Sequence, residues 1–435
     1  MNIKKIMSGL RNCPCGREHR ADLERVEIGR GYIRETGRFL RESGFPDRLL
    51  LVADVNTLAA AEGVCEVIAS AGFELKKLVY PDFKYARDVN VEEVTALCGD
   101  VGGIVSVGSG SLNDICRVPA ARLGLPLCIV ATAPSMDGFA SDTSPILRNS
   151  FKETWKAAQP KLIVADTDIL AAAPVELKAA GLGDMAAKYI AITDWRISAL
   201  ITGEYYCKNI ADMTLDAVSR CLSLAGKLRE GDPEAAASVM EGLVMSGLAM
   251  KLAGCSRPAS GAEHMTSHFL EDYKCLRGIW PEFHGKKVGV ATLILAGAYR
   301  RIAKEVEAVD AGADPEVPGG LLSHFDPEFR DDIAALNRTP ITDIVDPEKV
   351  KAGWQDIRKI ILDTVPDENF LRERLLAAGG AVTLDEIHTA PGLMKEALRY
   401  HAYMRHRLFL TRILPLAGVD LLDYVDLPLK AIPHN

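Results

Sequence analysis

No excess of basic residues marks this sequence: 51 Lys and Arg stand against 59 Asp and Glu, a formal charge of −8. A chain without a basic field has little to concentrate phosphate backbones or anionic lipid, so no nucleic-acid or membrane partner is expected. The N-terminus, MNIKKIMSGLRNCPCGREHR, lacks the apolar core of a secretory signal. The apolar run at 288–299 is bounded by Lys287 and Arg300 and falls short of the roughly 20 residues that span a bilayer. These absences lead us to expect a soluble, cytoplasmic protein. Internal repeats and low-complexity tracts are also missing, which sets solenoids and arrays aside. Cysteine is not scarce, at ten residues, yet Cys65, Cys98, Cys116, Cys128 and Cys221 all fall within apolar patterns, where free buried thiols are expected rather than disulfides.

What is present is enough apolar sequence for two cores. The chain has 435 residues, 48 % hydrophobic and 25 % charged, more than one core usually supports. From Leu49 to about Asp166, short β-branched runs at 49–54, 74–80, 103–107, 126–131 and 161–165 alternate with helical patterns at 57–71, 91–98 and 111–123. This is the rhythm of a parallel sheet covered by helices. After about residue 168 the sequence turns Ala-, Leu- and Met-rich with helical spacing, and 181–183, 230–233, 253–261 and 311–320 read as breaks. The expected fold is an α/β dinucleotide-binding domain with a parallel sheet over 1–167, followed by an all-α metal- and substrate-binding domain over 168–435. The cleft between them is the natural place for a site.

The clearest local signal is GSGSLND at 108–114, directly after a strand and opening a helix. Gly108, Ser109, Gly110 and Ser111 form a turn whose glycines let the backbone approach a pyrophosphate at the helix N-terminus. The full Rossmann fingerprint is absent, because Asn113 and Asp114 stand where a third glycine belongs and the next strand ends in Ala131 and Thr132. Asp54 ends an earlier strand, where it can reach a ribose. A second polar loop, TAPSMDGFAS at 132–141, brings Thr132, Ser135, Asp137 and Ser141 to the carboxyl end of the sheet, where open α/β sheets bind ligands.

The helical half carries Asp184, His264, His268 and His284. His264 and His268 are four residues apart and share a helix face. Met265 stands where a HExxH protease carries its glutamate, which removes that mechanism. One carboxylate with two imidazoles suits zinc or another first-row divalent ion and leaves positions open for substrate. Spacing alone does not decide which of the two paired histidines is the ligand, and Asp184 has the plainer alternative of capping a helix. Cys13, Cys15 and His19 also offer ligand atoms, but CxC is tighter than the usual CxxC and no fourth ligand is evident. His401 and His406, five apart, are given no role.

Together GSGSLND, TAPSMDGFAS, GLGDMAAKY (181–189), ITGEYY (201–206), SGAEHMTSH (260–268) and EFHGKKVG (282–289) resemble, in order, the iron-containing alcohol dehydrogenase superfamily. Within it they resemble the sn-glycerol-1-phosphate dehydrogenases, including the AraM-like branch. The resemblance runs from about residue 25 to 300; Ser109 departs from a common glycine run, and little signature extends beyond about 330. It implies a dehydroquinate-synthase-like fold, a divalent zinc, nickel or iron ion on Asp184, His264 and His284, and Asp137, Asp184 and His268 against substrate. It further implies that Asp184 and His268 act catalytically and that the 108–114 and 132–141 loops hold NAD(P)H. The implied reaction is reversible reduction of dihydroxyacetone phosphate to sn-glycerol 1-phosphate, with Lys188 and Lys286 as positional candidates for the phosphate contact. Alternatives are a dehydroquinate-synthase-like lyase and a catalytically silent dinucleotide or sugar-phosphate binder. A homodimer or higher homo-oligomer is the default for a soluble enzyme.

Overall fold

The structure is a computed structural model that describes residues 1–148, 151–310, 312, 320–339 and 341–429. Its strands are β1 (Arg25–Gly29), β2 (Arg48–Asp54), β3 (Glu74–Tyr80), β4 (Gly103–Gly108), β5 (Leu127–Ala131), β6 (Thr143–Arg148), β7 (Phe151–Lys156) and β8 (Leu162–Asp166). Six of them form one sheet in the order β1-β8-β5-β4-β2-β3, with every pair parallel. Strands β4, β5 and β8 are buried at every position, which is why they read as unbroken apolar runs: a parallel sheet covered on both faces has no solvent side. The register pairs Ala53 with Val107 and Gly108 with Ala131. The carboxyl ends of β2, β4 and β5 therefore share one edge, carrying Asp54, Gly108 and Thr132.

The five strands expected from the sequence all lie in this sheet, but three others carried too weak a signal. β1, RVEIG, is an edge strand with charges at alternate positions. β6 and β7 pair only with each other, antiparallel, and interleave Thr, Lys and Glu with apolar residues. Each buries at most one face, so none produces an apolar run.

Among the described residues no strand follows Asp166. Main helices are α1 (Gly110–Leu123), α2 (Val175–Ala186), α3 (Lys188–Thr202), α4 (Lys208–Ser223), α5 (Pro233–Ala253), α6 (Ala262–Leu276) and α7 (His284–Glu305). α5 has the length and composition of a membrane span but is mostly buried among the other helices. The breaks expected at 230–233 and 253–261 separate helices, and the one at 311–320 lies mostly outside the described residues. The break expected at Gly181–Gly183 is a correction: these residues lie inside α2. Their glycines serve close packing, and that contact outweighs their poor helix propensity. The region beyond 330 supplies further helices, Pro347–Thr364, Glu368–Ala377 and Pro391–Tyr400. The first is fastened by the fully buried Trp354, whose indole N–H donates to Val306 O at 2.9 Å.

Candidate active site

A Cβ on Gly183 would lie 2.4 Å from Gly285 O, and one on Gly285 would lie 1.9 Å from Ala180 O. α2 and the first turn of α7 thus meet backbone to backbone. A Cβ on Gly181 would lie 1.9 Å from Pro134 O, so the same helix is pressed against the loop that follows β5. Asp184, next on α2, is carried to the point where α6 and α7 begin. There Asp184, His264 and His284 offer ligand atoms that all lie within 4.8 Å of one another. His264 Nε2 is 3.4 Å from Asp184 Oδ1, and the rings of His264 and His284 are 5.2 Å apart.

Support for this cluster is built in. Glu263 Oε1, itself accepting from the Gly261 amide at 2.9 Å, lies 2.6 Å from His264 Nδ1. A carboxylate accepting there places the imidazole proton on Nδ1 and leaves Nε2 for the cluster, the arrangement that orients metal-bound histidines. Burial opposes protonation of His264, but Asp184 and Glu263 outweigh it and raise its pKa to about 9. Burial dominates at His284 and drives its pKa well below the usual value. The buried Nδ1 of His284 has no hydrogen-bond partner. One carboxylate, two imidazoles and an unpartnered buried nitrogen fit a divalent first-row ion.

The substrate side is reached through Lys188, which is fully buried and bridges Asp184 at 2.8 Å and Asp137 at 2.7 Å. The Asp137 amide donates to Asp184 Oδ2 at 2.9 Å, and Ser246 donates to Asp137 Oδ2 at 2.8 Å. Against burial, Lys188 with His264 and His284 holds the Asp184 carboxyl well below the usual carboxylate range. Lys188 is therefore committed to the two aspartates, which corrects its placement as a phosphate contact. Lys286 lies 3.0 Å from Glu282 and lines a cavity of about 330 Å³ whose wall includes Gly183 and Gly285 but not Asp184, His264 or His284.

A cationic group that sequence reasoning missed stands on the other side of His268. Lys152 of β7 donates to Glu271 at 2.9 Å, and Lys287 lies 3.7 Å from the same carboxylate. His268 Nδ1 is 3.6 Å from Glu271, and Arg405 reaches Thr154 beside Lys152 at 3.1 Å. Burial lowers the His268 pKa to about 4, leaving a neutral imidazole. Lys152 and Glu271 are 119 residues apart in sequence, so no local spacing announces them.

The cofactor loops lie on the shared sheet edge. Ser109 and Ser135 join the two loops hydroxyl to hydroxyl, and the Thr132 amide donates to Gly108 O at 3.2 Å. Ser111 donates to Lys84 O at 3.1 Å. Asp54 accepts the Thr57 amide at 2.7 Å as the cap of the short helix Val55–Ala60. Asp114 and Ser141 turn toward the buried Arg117, 3.4 Å and 2.7 Å away, and Arg117 also donates to Gly138 O at 2.7 Å. Arg117 thereby ties α1 to the 132–141 loop.

Residues 27–174 match the family model of the iron-containing alcohol dehydrogenases. The glycerol-1-phosphate dehydrogenase (NAD(P)+) of Geobacillus stearothermophilus is 30 % identical over 433 residues, covering 98 % of this chain and 99 % of the relative. Its namesake from Methanothermobacter thermautotrophicus is 33 % identical over 303 residues, 67 % of this chain and 85 % of the relative. Among solved structures, glycerol dehydrogenase of Schizosaccharomyces pombe superposes with a TM-score of 0.59 at 18 % identity, covering 92 % of this chain and 90 % of that one. NADH-dependent butanol dehydrogenase A of Thermotoga maritima gives 0.58 at 15 % identity, with 92 % and 97 % covered. At these identities the solved structures speak for the fold, while the full-length relatives speak for the family. The chain is a member of the iron-containing alcohol dehydrogenase superfamily and belongs, within it, to the glycerol-1-phosphate dehydrogenases.

Proposed function

We propose that this protein catalyses the reversible, NAD(P)H-linked reduction of dihydroxyacetone phosphate to sn-glycerol 1-phosphate, using zinc, nickel or iron held by Asp184, His264 and His284. The observation that carries this reading is the convergence of those ligands within 4.8 Å, directly against the loop that follows β5. When bound, the ion supplies Lewis acidity at the substrate carbonyl and the reduced nicotinamide supplies hydride.

The chain's own residues do the rest. Asp184 and the two histidines hold their geometry through Lys188 and Glu263. Asp137 and the neutral His268 orient the substrate's hydroxyls by hydrogen bonding. With its pKa near 4, His268 holds no stored imidazolium at neutral pH and serves as a hydrogen-bonding group. Lys152, Lys287 and Arg405 present more positive charge than Glu271 cancels, which suits the substrate phosphate. Gly108, Ser109, Gly110 and Ser111 present the N-terminus of α1 to the pyrophosphate, with Thr132 and Ser135 beside them. Asp54 faces the ribose, which favours a free 2′-hydroxyl and hence NADH. Asp114 and Ser141 act through Arg117, holding the second loop in place. Ten free cysteines support a reducing, cytoplasmic setting.

The test follows NADH and NADPH absorbance with dihydroxyacetone phosphate, using protein stripped of metal and then reloaded with zinc or nickel. Consumption only after reloading, with a folded but inactive His264→Ala variant, is the expected result. No consumption with this ketone or with dihydroxyacetone, and no cofactor reduction with glycerol, overturns the substrate assignment.

A further inference from the structure

Apart from the catalytic cluster, the structure supplies the fourth ligand that the CxC motif lacks in sequence. Cys13, Cys15, His19 and Cys207 offer ligand atoms that all lie within 4.8 Å of one another. Cys207 stands 194 residues beyond Cys13, between α3 and α4, and their sulfurs are 3.4 Å apart. His19 Nε2 lies 3.3 Å from Cys15 Sγ and 3.9 Å from Cys207 Sγ. In a tetrahedron with Zn–S of about 2.3 Å and Zn–N of about 2.0 Å, sulfur–sulfur edges are ~3.8 Å and sulfur–nitrogen edges ~3.5 Å. The three measured separations differ from these edges by only a few tenths of an ångström.

The surroundings are those of a ligand site. His19 Nδ1 is 2.8 Å from Leu252 O, and a carbonyl only accepts, so the ring proton is on Nδ1 and the Nε2 lone pair faces the sulfurs. Asn209 Nδ2 donates to Cys13 Sγ at 3.4 Å and the Tyr205 hydroxyl to Cys15 Sγ at 3.6 Å. Arg17 lies over the Tyr205 ring, 3.6 Å from its centroid. Side-chain donors at two of the three sulfurs compensate thiolate charge. Gly16 holds φ at +75° between the ligand pair and His19, closing the turn that folds Cys13, Cys15 and His19 onto one point.

We propose that Cys13, Cys15, His19 and Cys207 form a closed, four-coordinate structural zinc site, separate from the catalytic ion. It pins the N-terminal segment to the junction of α3 and α4, joining the lead-in to β1 with the helical half. A site with four protein ligands leaves no position for substrate, so its role is stability.

The test does not use turnover and stands apart from the assigned reaction. His264→Ala removes a catalytic ligand; purified full-length His264→Ala should still hold one zinc per chain. Cys207→Ser in the same background should lose that equivalent and unfold at a lower temperature. Should that variant fail to fold, cobalt substitution of His264→Ala decides, since only this site has sulfur ligands and a thiolate-to-cobalt charge-transfer band in the near ultraviolet reports it. A His264→Ala protein without zinc, an unchanged zinc content in Cys207→Ser, or cobalt-loaded protein without the thiolate band overturns the proposal.

Discussion

Glu282 and His388 both hold φ in the left-handed region, at 69° and 47°, and their side chains meet, with Glu282 Oε1 2.6 Å from His388 Nδ1. Among the described residues they are the non-glycine positions with positive φ. Such backbone persists where surroundings hold it, and Glu282 is held: Lys286 donates to its carboxylate at 3.0 Å and Lys287 to its carbonyl at 3.2 Å. Two residues later α7 begins at His284. This turn aims a proposed metal ligand, and a segment from beyond residue 330 braces it. Glycine accepts positive φ while alanine pays for its Cβ, so Glu282→Ala should be less stable than Glu282→Gly by about 1 kcal/mol. That ordering reverses the usual helix or strand preference. Urea unfolding of the two variants checks it, and equal stabilities would show the turn to be unstrained.

Gly183→Ala places a methyl 2.4 Å from Gly285 O, a contact that no side-chain rotation relieves. α2 and α7 must separate, at a cost of about 1–3 kcal/mol or more, and Asp184 moves away from His284. Zinc affinity measured by competition with a chelator should fall more than tenfold while the far-ultraviolet circular dichroism stays native. Unchanged affinity would show that the helix contact does not set the ligand geometry.

These glycines mark a limit of what sequence reading delivers. The strands β2, β4, β5 and β8 were legible because burial on both faces writes a continuous apolar run, and the edge strand β3 because Leu78, Val79 and Tyr80 keep a short one; β1, β6 and β7 were not, because polar and apolar residues are interleaved along them. Asp184, His264 and His284 stood out by residue type, and the four-residue step to His268 flagged a shared helix face. Gly181–Gly183 read as a break because helix propensity is local, whereas the contact that overrides it comes from residues a hundred positions away. The same holds for Lys152 with Glu271 and for Cys207 with Cys13, 119 and 194 residues apart. Their chemistry exists only after the chain has folded.

Lys188→Met removes the cation between two buried carboxylates, 2.7 Å from Asp137 and 2.8 Å from Asp184. Breaking a buried pair this way costs about 3–5 kcal/mol. The pH dependence gives a sharper signature. In the wild type the Asp184 pKa is depressed, so its contribution is present above the ordinary carboxylate pKa and is lost as pH falls below that value toward the depressed folded one. In the variant Asp184 loses its partner and its folded pKa rises, so the penalty is largest at neutral pH and shrinks on acidification. Guanidinium unfolding of both metal-free proteins between pH 4 and 8 should show the two stabilities converging toward the acid end. Parallel curves would count against Lys188 as the charge partner.

Asp272 stands beside Glu271, and burial, with Glu271 adding to it, raises its pKa to about 8. The folded state binds this proton more tightly than the unfolded chain does. Its contribution is therefore full below the unfolded pKa of about 3.9 and is lost as pH rises toward 8. Asp272→Asn deletes that dependence. At pH 8 the variant should be more stable than wild type by on the order of a few kcal/mol, because each tenfold tightening of proton binding is worth about 1.4 kcal/mol. The same proton bears on substrate binding. While Asp272 is neutral, Glu271 is the carboxylate that pairs with both Lys152 and Lys287; once Asp272 ionises, the cluster's positive excess falls. KM for dihydroxyacetone phosphate should then climb above pH 8 in the wild type and stay flatter in Asp272→Asn, with kcat less affected. If KM rises equally in both, the phosphate is held elsewhere and the Lys152–Lys287 cluster is structural.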